Sequence, residues 1–296
     1  MASVDASLRP RRSVLYMPGA NERALEKAQT LPADALILDL EDAVAPDAKV
    51  DARERVCEAA ASDRYGRREV TIRANGAGTP WHDDDMRAAA AAGPAAVVVP
   101  KVDSAGAVHA IEKAFESGGA PDHTAIWAML ETPAAMLRAE EICAASERLT
   151  VVVMGTNDLA KELQAEHAPD RQPLLAGLAL CLLAARATGK VILDGVYNDI
   201  RDPEGFEAEC RQGRQLGFDG KTLIHPSQLE PCNRVFAPGA DEVAWAGRII
   251  EAFEQAEADG WGVVTVDGRM VENLHVEQAR RTLALAAAIE AVGTDR

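Results

Sequence analysis

The chain has 296 residues, 48% of them hydrophobic, and a formal net charge of −16 at pH 7. That apolar fraction supports a sizeable core, in one large α/β domain or two small ones. The acidic balance excludes broad binding to nucleic acid or to an anionic membrane, because phosphates would be repelled. An anionic substrate would need a local basic site or a metal.

The N-terminal MASVDASLRPRR lacks an apolar stretch of the secretory kind. No apolar run reaches the ~18 residues of a membrane span. The five cysteines, Cys57, Cys143, Cys181, Cys210 and Cys232, form no C-x-x-C pair. Wide spacing predicts reduced, mostly buried thiols, and the expectation is a cytoplasmic protein.

Short apolar runs predict eight strands. They are Ser13–Pro18, Ala35–Leu40, Val70–Ala74 and Ala96–Pro100, then Ala125–Leu130, Thr150–Met154, Val191–Leu193 and Gly220–Ile224. Most are continuously apolar rather than alternating, as parallel strands buried on both faces require. Helical stretches separate them: NERALEKAQTL, DAKVDARERVCEAA, DDDMRAAAAAG, SAGAVHAIEKAF, PAAMLRAEEICAA, PLLAGLALCLLAARATG and PEGFEAECRQGRQLG. Asn21 and Ser104 are placed to cap the first and fourth, and Pro203 falls in the first turn of the seventh. Eight such units predict a (β/α)8 TIM barrel over 1–235. An open doubly wound sheet is the alternative, but no G-x-G-x-x-G follows a strand. A C-terminal helical and hairpin extension, 236–296, completes the chain. It is read as a helix near 241–258, a hairpin GVVTVDGRMV turning at Asp267-Gly268, and a helix near 275–291.

In a barrel, chemistry collects where strands end. Those positions carry Asp39, Glu41 and Asp42, then Arg73 and Asn75, Lys101, Glu131, Asn157 and Asp158, Asp194, and His225. Glu131 and Asp158 follow neighbouring strands and can reach one hard cation; few protein ligands with water and substrate oxygens suit Mg²⁺. Alternatively both are acids stabilised at helix N-termini. Arg73, a lone cation in an apolar strand, can fork onto a substrate carboxylate or form an internal salt bridge with Asp39, Glu41 or Asp42. GFDGKT ends like a phosphate loop, but Gln215 stands where that motif needs Gly. There is no G-x-S-x-G, and the six histidines show no zinc spacing. His82, His109, His123 and His167 are expected on surfaces or loops.

Taken together, RRSVLYMPGANERALEKA, ALILDLEDAVAPDAKVDAR, TIRANG, VVVPKV, MLETPAAM, MGTNDLAKEL, GKTLIHPSQL and MVENLHVEQARRTLALA resemble the citrate lyase β-subunit-like proteins of the HpcH/HpaI aldolase superfamily. That group includes malyl-CoA and citramalyl-CoA lyases and malyl-CoA thioesterases. The resemblance spans ~10–292. It implies a barrel assembled as trimers or hexamers and Mg²⁺ (or Mn²⁺) on Glu131 and Asp158, with Glu41 and Asp42 holding metal-bound water. It implies that Arg73 grips the α-keto acid and that the backbone of Gly155, Thr156 and Asn157 meets the substrate carboxylate. Tyr16, Pro18, Asn21, Arg23 and Lys27 would line a coenzyme A site, and Lys101 and His225 would face it. The tail would cover a neighbouring subunit's active site. There the family usually reads Met-[Val/Ile]-Asp-x-Pro; this chain has Met270-Val271-Glu272-Asn273-Leu274. Glu272 is thus the expected catalytic base, on a longer arm and without the proline. The implied activity is Mg²⁺-dependent cleavage of a 3-hydroxyacyl-CoA into an α-keto acid and an acyl-CoA. The alternatives are hydrolysis of the thioester and action on a carrier-bound citryl thioester.

Overall fold

The computed structural model describes residues 9–258 and 264–293. Two compact units are present, Arg11–Asn233 and a second from Arg234 onward. The first is a closed barrel of eight strands in sequence order, β1 to β8, every neighbouring pair parallel. The strands are β1 Ser13–Pro18, β2 Ala35–Asp39, β3 Glu69–Arg73, β4 Ala96–Val99, β5 Ala125–Leu130, β6 Leu149–Met154, β7 Val191–Asp194 and β8 Gly220–Leu223. Closure comes from β1 pairing with β8, Ser13 opposite Lys221 and Leu15 opposite Leu223.

The continuous apolar runs have the predicted cause. Val14, Ile37, Val98, Trp127, Val151 and Leu193 form the packed barrel interior, while the alternate residues Leu15, Leu36, Leu38 and Ile72 are also fully buried, under the helices. Charges close the N-terminal end of the strands. Arg11 pairs with Glu69 at 2.6 Å and lies over the Trp127 ring, and Arg12 pairs with Asp34 at 2.8 Å.

The crossovers are α1 Glu22–Ala28, α2 Lys49–Ala60, α3 His82–Ala92, α4 Ala105–Gly118, α5 Pro133–Leu137, α6 Ala139–Ala144, α7 Thr156–Glu162, α8 Leu175–Ala187 and α9 Pro203–Leu216, followed by α10 Leu229–Phe236. Asn21 and Ser104 accept the N–H groups of Ala24 and Ala107, the caps read from sequence, and Pro203 opens α9. The single helix expected over 133–145 is two, separated at Arg138. Helices α7 and α10 were not anticipated; both are short, and α7 begins with Thr-Asn-Asp, residues that favour turns and caps.

The second unit holds α11 Ala240–Ala258, strands β9 Val264–Val266 and β10 Arg269–Val271, and α12 Asn273–Gly293. Asp267 and Gly268 turn the hairpin with φ of 48° and 77°, both in the left-handed region that a two-residue turn of this type requires. Gly262 and Val263 of the expected hairpin lie outside the described residues. Ala246, Ile249, Val271, Val276 and Ala279 form this unit's own apolar cluster. Among the described residues no helix is long and apolar enough to cross a membrane.

Candidate active site

A cavity of about 330 Å³ opens at the C-terminal ends of the strands. Tyr16 and Pro18 of β1, Asp39 of β2, Arg73 of β3, Glu131 after β5, Gly155 to Asp158 after β6 and Thr222 of β8 all face it. Arg73 is only 7% exposed. Its Nε and Nη2 donate to the two oxygens of Asp39 at 2.6 and 2.7 Å, a two-pronged pair. Nη1 lies 2.8 Å from Glu41 and 3.4 Å from Asp42. The Tyr16 ring lies 4.7 Å from the guanidinium carbon. Of the two roles the sequence leaves open, the structure shows the internal salt bridge, with the fork committed to Asp39, and the same side chain lines the cavity. Burial works against the Arg73 charge, but Asp39, Tyr16 and Glu41 together outweigh it, and the guanidinium is held well above its ordinary range.

Glu131 is 3% exposed. Its Oε1 accepts the backbone N–H of Lys101 at 2.8 Å, and Lys101 holds that N–H in place with a left-handed φ of 56°, unusual outside glycine. A Cβ on Gly155 would collide with the Glu131 side chain, so only glycine leaves room for this carboxylate beside β6. Burial, and after it the charge of Asp158, pushes the Glu131 carboxyl up to about 8. Glu41 is likewise raised to about 7 by burial, with Arg73 pulling the other way. Lys101 Nζ stands 4.0 Å from Asp158.

This donor set fits a hard divalent cation. Two converging carboxylates, one buried and destabilised by the other, would be relieved by a positive charge between them. Among the described residues no three His, Cys, Asp or Glu groups form a closed metal cage. The open arrangement suits Mg²⁺, which retains water and shares substrate oxygens.

Asp42, Thr156, Asn157 and Asp158 are brought to the same cavity; Asp42 is exposed and Thr156 buried. Asn157 exchanges two side-chain hydrogen bonds with Asn198, at 3.1 and 2.7 Å. Arg23 and Lys27 are exposed one turn apart on α1, and the Asn21 side chain is engaged as its cap. His225 is exposed and caps the turn Pro226–Gln228. Glu272 belongs to the second unit, exposed just before α12, its backbone N–H donating to His275 Nδ1 at 3.1 Å.

Several supporting residues escaped the sequence reading. Lys49 is buried and donates to the carbonyls of Leu40 and Glu41 and to Asn75 Oδ1, at 2.7–2.8 Å, holding the loop that carries Glu41 and Asp42. Asn75, noted as a strand-end residue, serves this scaffold, anchored by Asp85. Lysine in an otherwise solvated helix gives no local sign of burial. Asn198 carried no signal, being one polar residue in a polar loop. Three of the thiols are disfavoured as nucleophiles: burial raises Cys57 and Cys143 to about 11 and Cys181 to about 12.

The family model for HpcH/HpaI aldolase/citrate lyase matches residues 12–226. A (3S)-malyl-CoA thioesterase of Cereibacter sphaeroides is 55% identical over 284 residues, 96% of this chain and 97% of its own length. The citrate lyase subunit beta of Escherichia coli is 38% identical, with 94% of each chain covered. Among solved structures, CitE of Mycobacterium tuberculosis in complex with magnesium, acetoacetate and coenzyme A superposes with a TM-score of 0.76 at 29% identity, covering 93% of this chain and 97% of that one. With the closed eight-stranded barrel and a matched segment that runs from β1 to the end of β8, this chain belongs to the HpcH/HpaI aldolase/citrate lyase family.

Proposed function

We propose that this protein is a Mg²⁺-dependent hydrolase of the thioester in a malyl-CoA-type 3-hydroxyacyl-CoA. The observation that carries the reading is one juxtaposition: the Glu131–Asp158 carboxylates and the Arg73 guanidinium line the same 330 Å³ cavity. That pairs a hard-cation site with a carboxylate grip. The thioesterase relatives at 55% identity, matched over nearly the whole chain, support hydrolysis over other outcomes.

A divalent cation (Mg²⁺, or Mn²⁺ in its place) held by Glu131 and Asp158 would act as a Lewis acid toward the oxygens of the hydroxyacid end. Arg73 has two nitrogens committed to Asp39, which fixes the plane of its fork. Its Nη1, shared by Glu41 and Asp42, is the one to take the substrate carboxylate. The backbone of Gly155, Thr156 and Asn157 borders the same space and would orient that carboxylate. Asp42 and Glu41 would accept hydrogen bonds from water around the cation. Arg23 and Lys27 supply local positive charge for the coenzyme A phosphates in a chain of net charge −16. Tyr16, Pro18, Asn21, Lys101 and His225 complete the coenzyme side of the site.

Glu272, brought by the tail of a neighbouring subunit in a trimer or hexamer, is the base. In hydrolysis it takes a proton from water as the water oxygen adds to the thioester carbon. The C–S bond then breaks, and the leaving sulfur takes up a proton as the free thiol.

A second reading keeps the same site but places protonated Glu272 against the carbon alpha to the thioester: the 3-hydroxyl gives its proton to water, the C–C bond breaks to an α-keto acid and an acyl-CoA enolate, and Glu272 delivers a proton to the enolate carbon. The relation to citrate lyase subunit beta favours it. Incubation with (S)-malyl-CoA and Mg²⁺, with free thiol and glyoxylate assayed in parallel, separates the two. Thiol without glyoxylate is the expected result. Glyoxylate without thiol establishes the lyase, and neither product overturns malyl-CoA as the substrate.

A further inference from the structure

Lys221 is the lysine of GFDGKT, the segment that ends like a phosphate loop. In the fold it lies on β8 with no exposed surface, inside a cluster that the chemistry above does not use. Its Nζ donates to Glu209 at 2.6 Å, to Asp194 at 3.1 Å and to the backbone carbonyl of Gly195. Arg171 grips both oxygens of Asp194 at 2.7 and 2.8 Å. Asp194 in turn accepts the N–H of Gly195 at 2.8 Å. Two cations and two carboxylates thus balance in charge, and between them they hold both backbone polar groups of Gly195.

Gly195 is where this cluster meets the active site. A Cβ there would collide with Oγ1 and Cγ2 of Thr156 and crowd the Met154 carbonyl oxygen at 3.0 Å. Thr156 is the first residue of α7, two before Asp158, and it follows Gly155, which makes room for Glu131. The ends of β5, β6 and β7 are therefore stacked at distances only glycine allows. Displacement of the third is transmitted to both carboxylates. Buried ion pairs add little net stability, since desolvation offsets their attraction; positional control is the better account of this one.

We propose that the Lys221–Asp194–Arg171–Glu209 cluster is a positioning device for the Glu131–Asp158 cation pair, acting through Gly195, Thr156 and Gly155. The proposal rests on the reading of those two carboxylates as cation ligands. Supporting residues around metal ligands typically change metal affinity by about 10- to 100-fold when altered.

The test is Mn²⁺ binding to the full-length protein, with free Mn²⁺ followed by electron paramagnetic resonance, alongside thermal unfolding. Lys221→Met leaves two buried carboxylates short of a counter-charge and endangers the fold itself, so Gly195→Ala is the principal variant. It is expected to stay folded and to bind Mn²⁺ about 10-fold more weakly or worse. Adding Thr156→Ala, which removes the two nearest atoms and leaves only the Met154 carbonyl oxygen in tight contact, should restore binding to within about 3-fold of wild type. Gly118→Ala, which crowds Ala90 between α3 and α4, should lower the unfolding temperature and leave Mn²⁺ binding unchanged. Wild-type affinity in folded Gly195→Ala overturns the proposal. So does failure of Thr156→Ala to rescue, or an equal loss in Gly118→Ala. A wild-type protein that takes up no Mn²⁺ overturns both this proposal and the cation site. Absence of thiol release with the Mn²⁺ pattern intact sinks the hydrolase reading alone.

Discussion

Arg73 and Asp39, at the ends of adjacent strands, meet as a buried two-pronged pair, with Nε–Oδ1 of 2.6 Å and Nη2–Oδ2 of 2.7 Å. β2 and β3 place them directly opposite in register. The pair immobilises the guanidinium plane while leaving Nη1 to the carboxylates of Glu41 and Asp42.

Arg73→Lys keeps the charge but cannot span Asp39 and a substrate carboxylate together. Turnover efficiency on malyl-CoA should fall by about 100-fold or more. Mn²⁺ affinity should remain near wild type, because Arg73 is not a cation ligand. Steady-state kinetics with parallel Mn²⁺ titration checks both, and unchanged kinetics would remove Arg73 from substrate binding.

Asp39→Ala leaves Arg73 buried with its main partner gone. Breaking a buried pair from one side costs about 3–5 kcal/mol, and Glu41 at 2.8 Å should hold the loss to the lower end. Urea unfolding measures it; a loss below about 1 kcal/mol would mean that solvent reaches Arg73 in solution.

The Glu131 and Glu41 carboxyls are raised to about 8 and about 7 in the fold. Groups whose folded value lies above the unfolded one stabilise fully below the unfolded value, near 4.3, and lose that contribution as pH rises through the folded value. The metal-free protein should therefore become less stable between about pH 5 and pH 9 on account of this pair. Saturating Mg²⁺ should flatten the dependence, since it binds the ionised form. Unfolding temperatures with and without Mg²⁺ across that range decide the matter; parallel curves would argue against Glu131 as a ligand.

If Glu272 serves a neighbouring subunit, Glu272→Ala and Arg73→Lys should each be nearly inactive alone, yet regain activity when unfolded and refolded together. Mixed oligomers would pair an intact barrel with an intact tail. Lack of recovery in verified mixed oligomers would place Glu272 within its own chain or outside the chemistry.

The four buried thiols and half-buried Cys57 should resist iodoacetamide at pH 8 in the native protein, with activity retained, and all five should react in urea. Rapid inactivation would reopen a thiol mechanism.

Much of this molecule was legible residue by residue. Continuous apolar runs such as AVVV and AIWAML mark buried parallel strands, because each must satisfy an interior face and a helix-covered face at once. Asn21, Ser104 and Pro203 mark helix starts, because capping is settled within three residues of chain. Glu131, Asp158 and Arg73 stood out as charges at the ends of apolar strands. What remained open was which charge answers which. Arg73 had three acids within reach in the sequence, and only the β2–β3 register sets Asp39 opposite it. Lys221 resembles a phosphate-loop lysine in the sequence, and only the β7–β8 register sets it opposite Asp194, a residue 27 positions away. Lys49 and Asn198 gave no signal, since burial and pairing for them depend on loops from other strands. Strand and cap signals are short-range and survive in a linear reading. Charge pairing and the glycine contacts at Gly155 and Gly195 exist only once neighbouring strands, 27 or more residues apart in several cases, are set in register, and that register is a property of the packed sheet.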